Sequence, residues 1–239
     1  MSTSGWVRSA LAAAACGFAC GAQAAPIDWN AWNSSTSGSI AADSVSVSFS
    51  IAGTGSLDNL VPNYPSYTPT GSYADGSTVN NAPVASDGII RLEGGNTNLN
   101  TVTFSKPVVN PVMAIWSLGA PGAPAEFDFS KATPVFVAGG PSAEYGGNAI
   151  MVSGDVVSGA ESNGTVQFMG TFTSLSWTNP KAEYWYGFDV GIAGVGSGGG
   201  GTGVPEPSTL ALLGLALLPL FSGAWRPRWR SSRRCSPAV

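Results

Sequence analysis

The alternation of apolar and polar residues at every second position is the feature that most constrains the fold of this 239-residue chain. Val45, Val47, Phe49 and Ile51 alternate with serines. Because successive side chains of a β-strand point to opposite faces of the sheet, this pattern predicts a strand with one buried face. Helical periodicity is absent from the central part of the chain, where turn-forming residues separate short apolar segments.

Further apolar segments predict a domain built only of strands. Val112–Leu118 is apolar at every position but one, which predicts a central strand covered on both faces,. Asn163-Gly164 predicts a tight hairpin turn. Other predicted strands cover 102–104, 127–129, 135–137, 150–152, 156–157, 165–168, 172–177 and 184–192, with Tyr184, Tyr186, Phe188, Val190 and Ile192 on one face of the last. About ten strands at hairpin spacing predict an all-β, antiparallel β-sandwich or jelly-roll-like domain over residues 25–193.

The C-terminal part has a different composition. Residues 194–203 are rich in glycine and predict a flexible linker,. An uncharged apolar run then predicts a transmembrane helix over residues 209–225, although a helix from Leu210 to Trp225 extends only about 24 Å. Basic residues follow it at once: Arg226, Arg228, Arg230, Arg233 and Arg234. Because basic residues beside a membrane segment stay in the cytoplasm, we expect a cytoplasmic C-terminus and an external body.

This tail resembles the PEP-CTERM sorting signal of Gram-negative bacteria. The resemblance lies in Val204-Pro205-Glu206-Pro207, the short apolar segment and the arginine-rich end, within residues 204–239. It implies that Pro205, Glu206 and Pro207 are recognised by an exosortase, a membrane transpeptidase-like enzyme. It also implies release or transfer to the cell surface, commonly alongside exopolysaccharide production and therefore biofilm. Residues 110–118 and 183–191 are similar to β-rich domains of unassigned activity that accompany such tails, which implies only a fold.

The first 24 residues predict a secretory signal peptide read by the Sec translocon. Arg8 precedes a short apolar run, and Ala22-Gln23-Ala24 has the small residues of a cleavage site,. A transmembrane helix is the alternative, but the apolar run is too short. A lipoprotein signal is a second alternative because Cys16 and Cys20 lie nearby, although neither has a leucine three residues before it.

Composition excludes several chemistries from the body. The three cysteines are Cys16, Cys20 and Cys235, so all lie in the two ends, and the chain has no histidine. The body therefore lacks a disulfide framework, a thiol nucleophile and the common ligands of transition metals. The basic residues of the body are only Arg91, Lys106, Lys131 and Lys181. The body also contains every acidic residue of the chain except Glu206, so its net charge is negative. Such an acidic surface argues against nucleic acid and is compatible with cations, including calcium.

Glu126 and Asp128 are the candidate catalytic pair. On one strand face their positions are about 6.5 to 7 Å apart, within the range of paired acids in glycosidases. They resemble the Glu-x-Asp-x-Glu strand of jelly-roll endoglucanases, but Ser130 occupies the third acidic position. A solvated acidic face, with Phe127 and Phe129 in the core, is the favoured interpretation.

Two further candidates concern ligands. Trp185 and Asp189 lie opposite the apolar face of the last strand and could stack on and hydrogen-bond to a sugar, unless both faces of that strand are covered. Asp75 and Asp87 lie in a long loop, residues 58–88, and could bind calcium. Disorder or a plain insertion is the alternative for that loop. We predict no cofactor other than this calcium.

Proteins with such tails are sometimes labelled by similarity to the C-terminal domain of ice-binding proteins. Ice binding calls for a flat threonine array, whereas Thr101 with Thr103 and Thr171 with Thr173 are isolated pairs in the sequence. The sequence therefore favours a non-enzymatic surface or extracellular-matrix protein. A carbohydrate (exopolysaccharide)-binding module is the alternative, and a glycan-active enzyme using Glu126 and Asp128 is a weaker one.

Overall fold

The computed structural model of the chain describes residues 26–53, 59–63 and 67–195. The chain divides into two compact units, residues 1–200 and 201–239, and every described residue belongs to the first. The predicted signal peptide, the linker after residue 195, the transmembrane helix and the sorting signal lie outside the described residues. Within the described ranges, no helix has the length and hydropathy needed to span a membrane.

The described part of the chain is all-β, as the alternation predicts. Its strands are β1 (Asp28–Trp29), β2 (Ala31–Ser34), β3 (Ser37–Ile40), β4 (Val45–Ala52), β5 (Asn59–Val61), β6 (Ile89–Leu92), β7 (Asn96–Val109), β8 (Val112–Leu118), β9 (Ala125–Asp128), β10 (Pro134–Gly139), β11 (Asn148–Ala149), β12 (Met151–Ser153), β13 (Val156–Gly159), β14 (Ser162–Phe168), β15 (Thr171–Asn179) and β16 (Tyr186–Ile192). Short 3₁₀ helices occupy Ala42–Ser44, Thr70–Ser72 and Ala85–Asp87. The estimate of about ten strands is too low, because strands of two to four residues are too short to show alternation.

The strands form two eight-stranded sheets. The first sheet has the order β10-β14-β8-β16-β6-β5, with β1 beside β16 and β11 beside β14. The second has the order β12-β13-β9-β15-β7-β4-β3-β2. All pairings are antiparallel except that of β11 with β14, so the predicted antiparallel architecture is confirmed.

An aromatic core joins the two sheets. On β4, Val45, Val47 and Phe49 are buried while the serines between them are exposed, as predicted. The ring of Phe49 contacts that of Phe188 from the other sheet at 5.2 Å between centroids. Trp177 contacts the same phenylalanine at 5.0 Å. These edge-on contacts between large rings hold the sheets face to face.

The outer face of the first sheet is also covered. Tyr73 and Val79, from the long loop, are fully buried against a second apolar cluster that includes Val112, Ala114 and Trp116 of β8. Every residue of β8 is therefore buried, and the strand lies between β14 and β16. This confirms the predicted central strand. It also shows that the loop, over the residues described here, is a packed cover for the sheet.

The predicted turn at Asn163-Gly164 is wrong, because both residues lie within β14. The chain instead turns at Glu161, whose φ is 59°. The buried Asn163 amide accepts a hydrogen bond from the Ser117 backbone N–H at 2.8 Å and donates one to the Gly146 carbonyl at 3.0 Å. A Cβ on Gly164 would stand 2.4 Å from the Ala138 carbonyl oxygen. Contacts with residues distant in sequence therefore explain why asparagine and glycine occupy these two positions. The local Asn-Gly motif gives no sign of such contacts.

The last strand agrees with its predicted pattern except at its start. Tyr186, Phe188, Val190 and Ile192 all belong to the core between the sheets. Tyr184 precedes the strand and is 83 % exposed, so its assignment to the apolar face is wrong. The strand begins two residues later than the alternation suggests.

We predict that Gly164→Ala lowers the free energy of unfolding by about 2 to 3 kcal/mol, because the new methyl group overlaps the backbone of β10. Gly71→Ala is the matched control, since no atom lies within 4 Å of its added Cβ, and its effect should stay within about 0.5 kcal/mol. Urea unfolding followed by circular dichroism measures both. Equal effects of the two variants would contradict the close packing described at Gly164.

Candidate functional site

A small cleft lies beside the last residues of β8 and the first residues of β14 and β16, in the first sheet. We call it the acidic aromatic cleft; it has a volume of about 180 Å³ and is lined by Ser117, Tyr145, Glu161, Glu183 and Trp185. β8 lies between the antiparallel strands β14 and β16, so its last residues meet the first residues of both neighbours. The cleft therefore gathers residues from segments that are distant in sequence.

Three aromatic rings shape one side of the cleft. Trp185 is partly buried, and its ring centroid lies 4.5 Å from that of the buried Trp116. Tyr145, which is 50 % exposed, stands nearly perpendicular to Trp185 at 5.9 Å. The guanidinium carbon of Arg91 lies 5.4 Å from the Trp185 ring centroid. These contacts fix the orientation of aromatic surface that solvent and ligands can reach.

Two carboxylates provide the polar side. Glu183 Oε2 accepts a hydrogen bond from the Gly119 backbone N–H, and Glu161 Oε1 accepts one from Ser117 Oγ at 2.6 Å. Burial raises the pKa of Glu183 from 4.5 to about 7; the Gly119 hydrogen bond opposes this, and the charge of Glu161 adds to it. Glu183 therefore titrates near neutral pH.

Unusual backbone geometry positions two of these residues. Ser117 and Glu161 have φ values of 52° and 59°, in the left-handed region that residues other than glycine seldom adopt,. The Glu161 carbonyl accepts a hydrogen bond from the Asn148 N–H at 2.9 Å, and the Ser117 N–H is held by Asn163. Strain of this kind persists only where surrounding contacts compensate it, and such strain is concentrated at functional sites.

The structure separates the predicted pair Trp185 and Asp189. Trp185 lines the cleft, but Asp189 is fully buried because β16 is a central strand. Its Oδ1 accepts hydrogen bonds from Trp32 Nε1 and from the Val190 N–H, both at 2.8 Å. Burial raises its pKa well above the ordinary value. The expectation that Asp189 contacts a glycan is therefore corrected: its carboxyl group lies in the interior, away from surface ligands.

The predicted acidic pair Glu126 and Asp128 lies on the other sheet. Both side chains are partly exposed on β9, whereas Phe127 between them is fully buried, as is the following Phe129. This is the arrangement of a solvated acidic face. Neither acid lines the acidic aromatic cleft.

The candidate calcium ligands stabilise local turns. Asp75 Oδ1 accepts hydrogen bonds from the backbone N–H groups of Ser77, Thr78 and Val79, at 3.0, 2.8 and 2.8 Å. Asp87 Oδ2 accepts one from the Val84 N–H at 3.0 Å. Across the described ranges, no three metal-ligating side chains of the Asp, Glu, Cys or His type come together. The geometry thus gives the calcium expectation no support.

The outer face of the second sheet carries a set of hydroxyl groups that the sequence does not reveal as a set. Ser37, Ser48, Thr103 and Ser174 are exposed neighbours across β3, β4, β7 and β15. Thr101 lies in the next row between Ser50 and Ser176, and its hydroxyl is 2.9 Å from that of Ser176. Thr101 and Thr103 are therefore part of a serine-rich face. Their cross-strand neighbours in these two rows are serines.

Sequence reasoning missed four of the five cleft residues. Ser117, Tyr145, Glu161 and Glu183 come from four separate segments, and only the strand order brings them together. The one local signal was Glu183, which lies two residues before Trp185. Spacing alone could not pair it with Glu161.

The free energy of unfolding of the protein should decrease as pH rises from 5 to 8, and we predict that Glu183→Gln makes this decrease smaller. A carboxyl group whose pKa is raised by folding stabilises the folded state below its unfolded pKa, and this contribution disappears as pH rises through the folded value. Because the side chain is partly exposed, we expect the difference to be about 1 kcal/mol. Urea unfolding at the two pH values measures it, with Glu126→Gln as the control. An unchanged pH dependence in Glu183→Gln would contradict the raised pKa.

Comparison with known proteins concerns the tail. Residues 203–228 match the family model of the PEP-CTERM protein-sorting motif. The match includes Val204, Pro205, Glu206 and Pro207, as well as Arg226 and Arg228, whereas Arg230, Arg233 and Arg234 lie beyond it. No curated protein and no solved structure matches the chain. The chain thus carries a PEP-CTERM protein-sorting motif, which implies processing by an exosortase and a secreted or cell-surface location.

Proposed function

We propose that this protein is a non-enzymatic surface or extracellular-matrix protein whose β-domain binds carbohydrate in the acidic aromatic cleft. The observation that carries the proposal is the combination of accessible Trp185 and Tyr145 rings with two carboxylates in one concave site. Aromatic rings pack against the apolar faces of sugars, and carboxylates accept hydrogen bonds from sugar hydroxyl groups. A concave site with a few convergent polar groups is the usual form of a small-ligand site.

The sorting motif supports the location in which such a ligand is met. In this proposal the Sec translocon exports the body after recognition of residues 1–24. Residues 209–225 then anchor it in the inner membrane with the arginine cluster in the cytoplasm, as positively charged flanks require. Exosortase processing near Pro205–Pro207 releases the body, and exopolysaccharide is the carbohydrate available to it there.

The arrangement of the acids supports a binding role for the body. Glu126 and Asp128, the pair proposed for hydrolysis, lie on the outer face of the second sheet and flank a buried phenylalanine. They line none of the cleft that holds Trp185. Carboxylates in a glycosidase must flank the bond to be cleaved, whereas Glu126 and Asp128 flank the buried Phe127.

We predict that the mature protein begins near Ala25 and ends near the Pro205–Pro207 motif. Intact mass spectrometry of protein from the cell surface and medium measures both ends in strains with and without the exosortase. The shortened C-terminus should occur only with the enzyme present. A full tail in both strains would show instead that residues 209–225 act as a permanent anchor.

We also predict that Trp185→Ala weakens carbohydrate binding at least tenfold, because it removes the ring that forms one wall of the cleft. Glycan-array screening identifies the ligand, and titration calorimetry measures the affinity. Tyr184→Ala is the matched control, since Tyr184 is an adjacent exposed aromatic that does not line the cleft. Circular dichroism checks that both variants are folded. An empty array, or equal losses in both variants, would contradict binding at this site.

A further inference from the structure

The acidic aromatic cleft contains two acids and no basic side chain among its lining residues. The charge that acts on Glu183 is that of Glu161, another acid. Arg91 contacts the Trp185 ring and is not a lining residue. Two like charges in a partly buried site repel each other, and burial also weakens their hydration. Where Glu183 is ionised, the free cleft therefore holds negative charge that a positively charged ligand would compensate.

Hydrogen bonding leaves room for such a ligand. The bonds from Gly119 and Ser117 engage Oε2 of Glu183 and Oε1 of Glu161. Each carboxylate thus keeps a second oxygen that can accept from a ligand. An ammonium group has three donors and no acceptor, so it can donate to more than one carboxylate oxygen. A neutral hydroxyl group has one donor and leaves the repulsion uncompensated.

The aromatic side of the cleft favours the same chemistry. A cation near the face of Trp or Tyr is attracted by the ring quadrupole. The ring of Tyr145 is half exposed and can interact with a ligand cation, whereas the ring of Trp185 already has the Arg91 guanidinium at 5.4 Å. The cleft has a volume of about 180 Å³. This space suits one residue of a polysaccharide.

We infer that the cleft selects an amine-bearing sugar residue, a hexosamine whose amino group is not acetylated. This inference rests on the carbohydrate binding proposed above and adds the class of sugar. The ammonium group lies between Glu161 and Glu183, and the sugar ring packs against Trp185 and Tyr145. A polysaccharide containing deacetylated amino sugars is then the matching partner.

Three hexamers with the same β-1,4-linked backbone test this inference. They carry a hydroxyl group (cellohexaose), an acetamide (chitohexaose) or a free amine (the deacetylated chitohexamer) at the second carbon of each residue. Their affinities are measured by titration calorimetry at constant ionic strength, with protein purified from the producing strain. We expect the amine form to bind at least tenfold more tightly than the other two. Glu183→Gln and Glu161→Gln should each reduce this preference at least fivefold.

Glu126→Gln is the matched control, because it removes the same charge from the other sheet. Equal affinity for the three hexamers would overturn the inference and leave carbohydrate binding intact. The same conclusion follows if Glu126→Gln lowers the preference as much as the cleft variants do, since the attraction would then be nonspecific. Absence of binding to all three hexamers and to the glycan array would overturn both proposals.

Discussion

Burial of the central strands β8 and β16 on both faces is the constraint on which the rest of this domain depends. All residues of both strands are buried, so the first sheet needs a partner on each side. The second sheet supplies one through the contacts of Phe49 and Trp177 with Phe188. The loop that contains Tyr73 and Val79 supplies the other. This loop is therefore part of the core, although its composition resembles that of a surface insertion.

The same strands create the candidate site at their ends. A strand that is buried along its length can offer side chains to a ligand only where it ends, and the acidic aromatic cleft lies at such a place. Asn163 links the core to the site, because its buried amide bonds to the Ser117 N–H. Asp189, three residues inside β16, is enclosed instead. A residue at the end of such a strand can therefore line the cleft, whereas a residue within the strand belongs to the core.

The sorting signal and the proposed binding site lie in separate parts of the chain. The sorting motif at 203–228 is a local sequence signal. The cleft exists only in the folded body. In the proposed function the sorting motif brings the cleft to the exterior, where a polysaccharide with amino groups would compensate the charges of Glu161 and Glu183.

The sequence by itself determined the fold class, the central strand Val112–Leu118 and the sorting signal, because each depends on neighbours along the chain: alternation, continuous apolarity or a short motif. Tertiary structure alone decided the strand order, the role of Asn163-Gly164 and the cleft. Asn-Gly favours a turn locally, but four hydrogen-bonding and packing partners from other segments of the chain outweigh that preference. Glu161 and Glu183 are likewise brought together by β14, β8 and β16, and pairing between distant strands leaves no local pattern in the sequence.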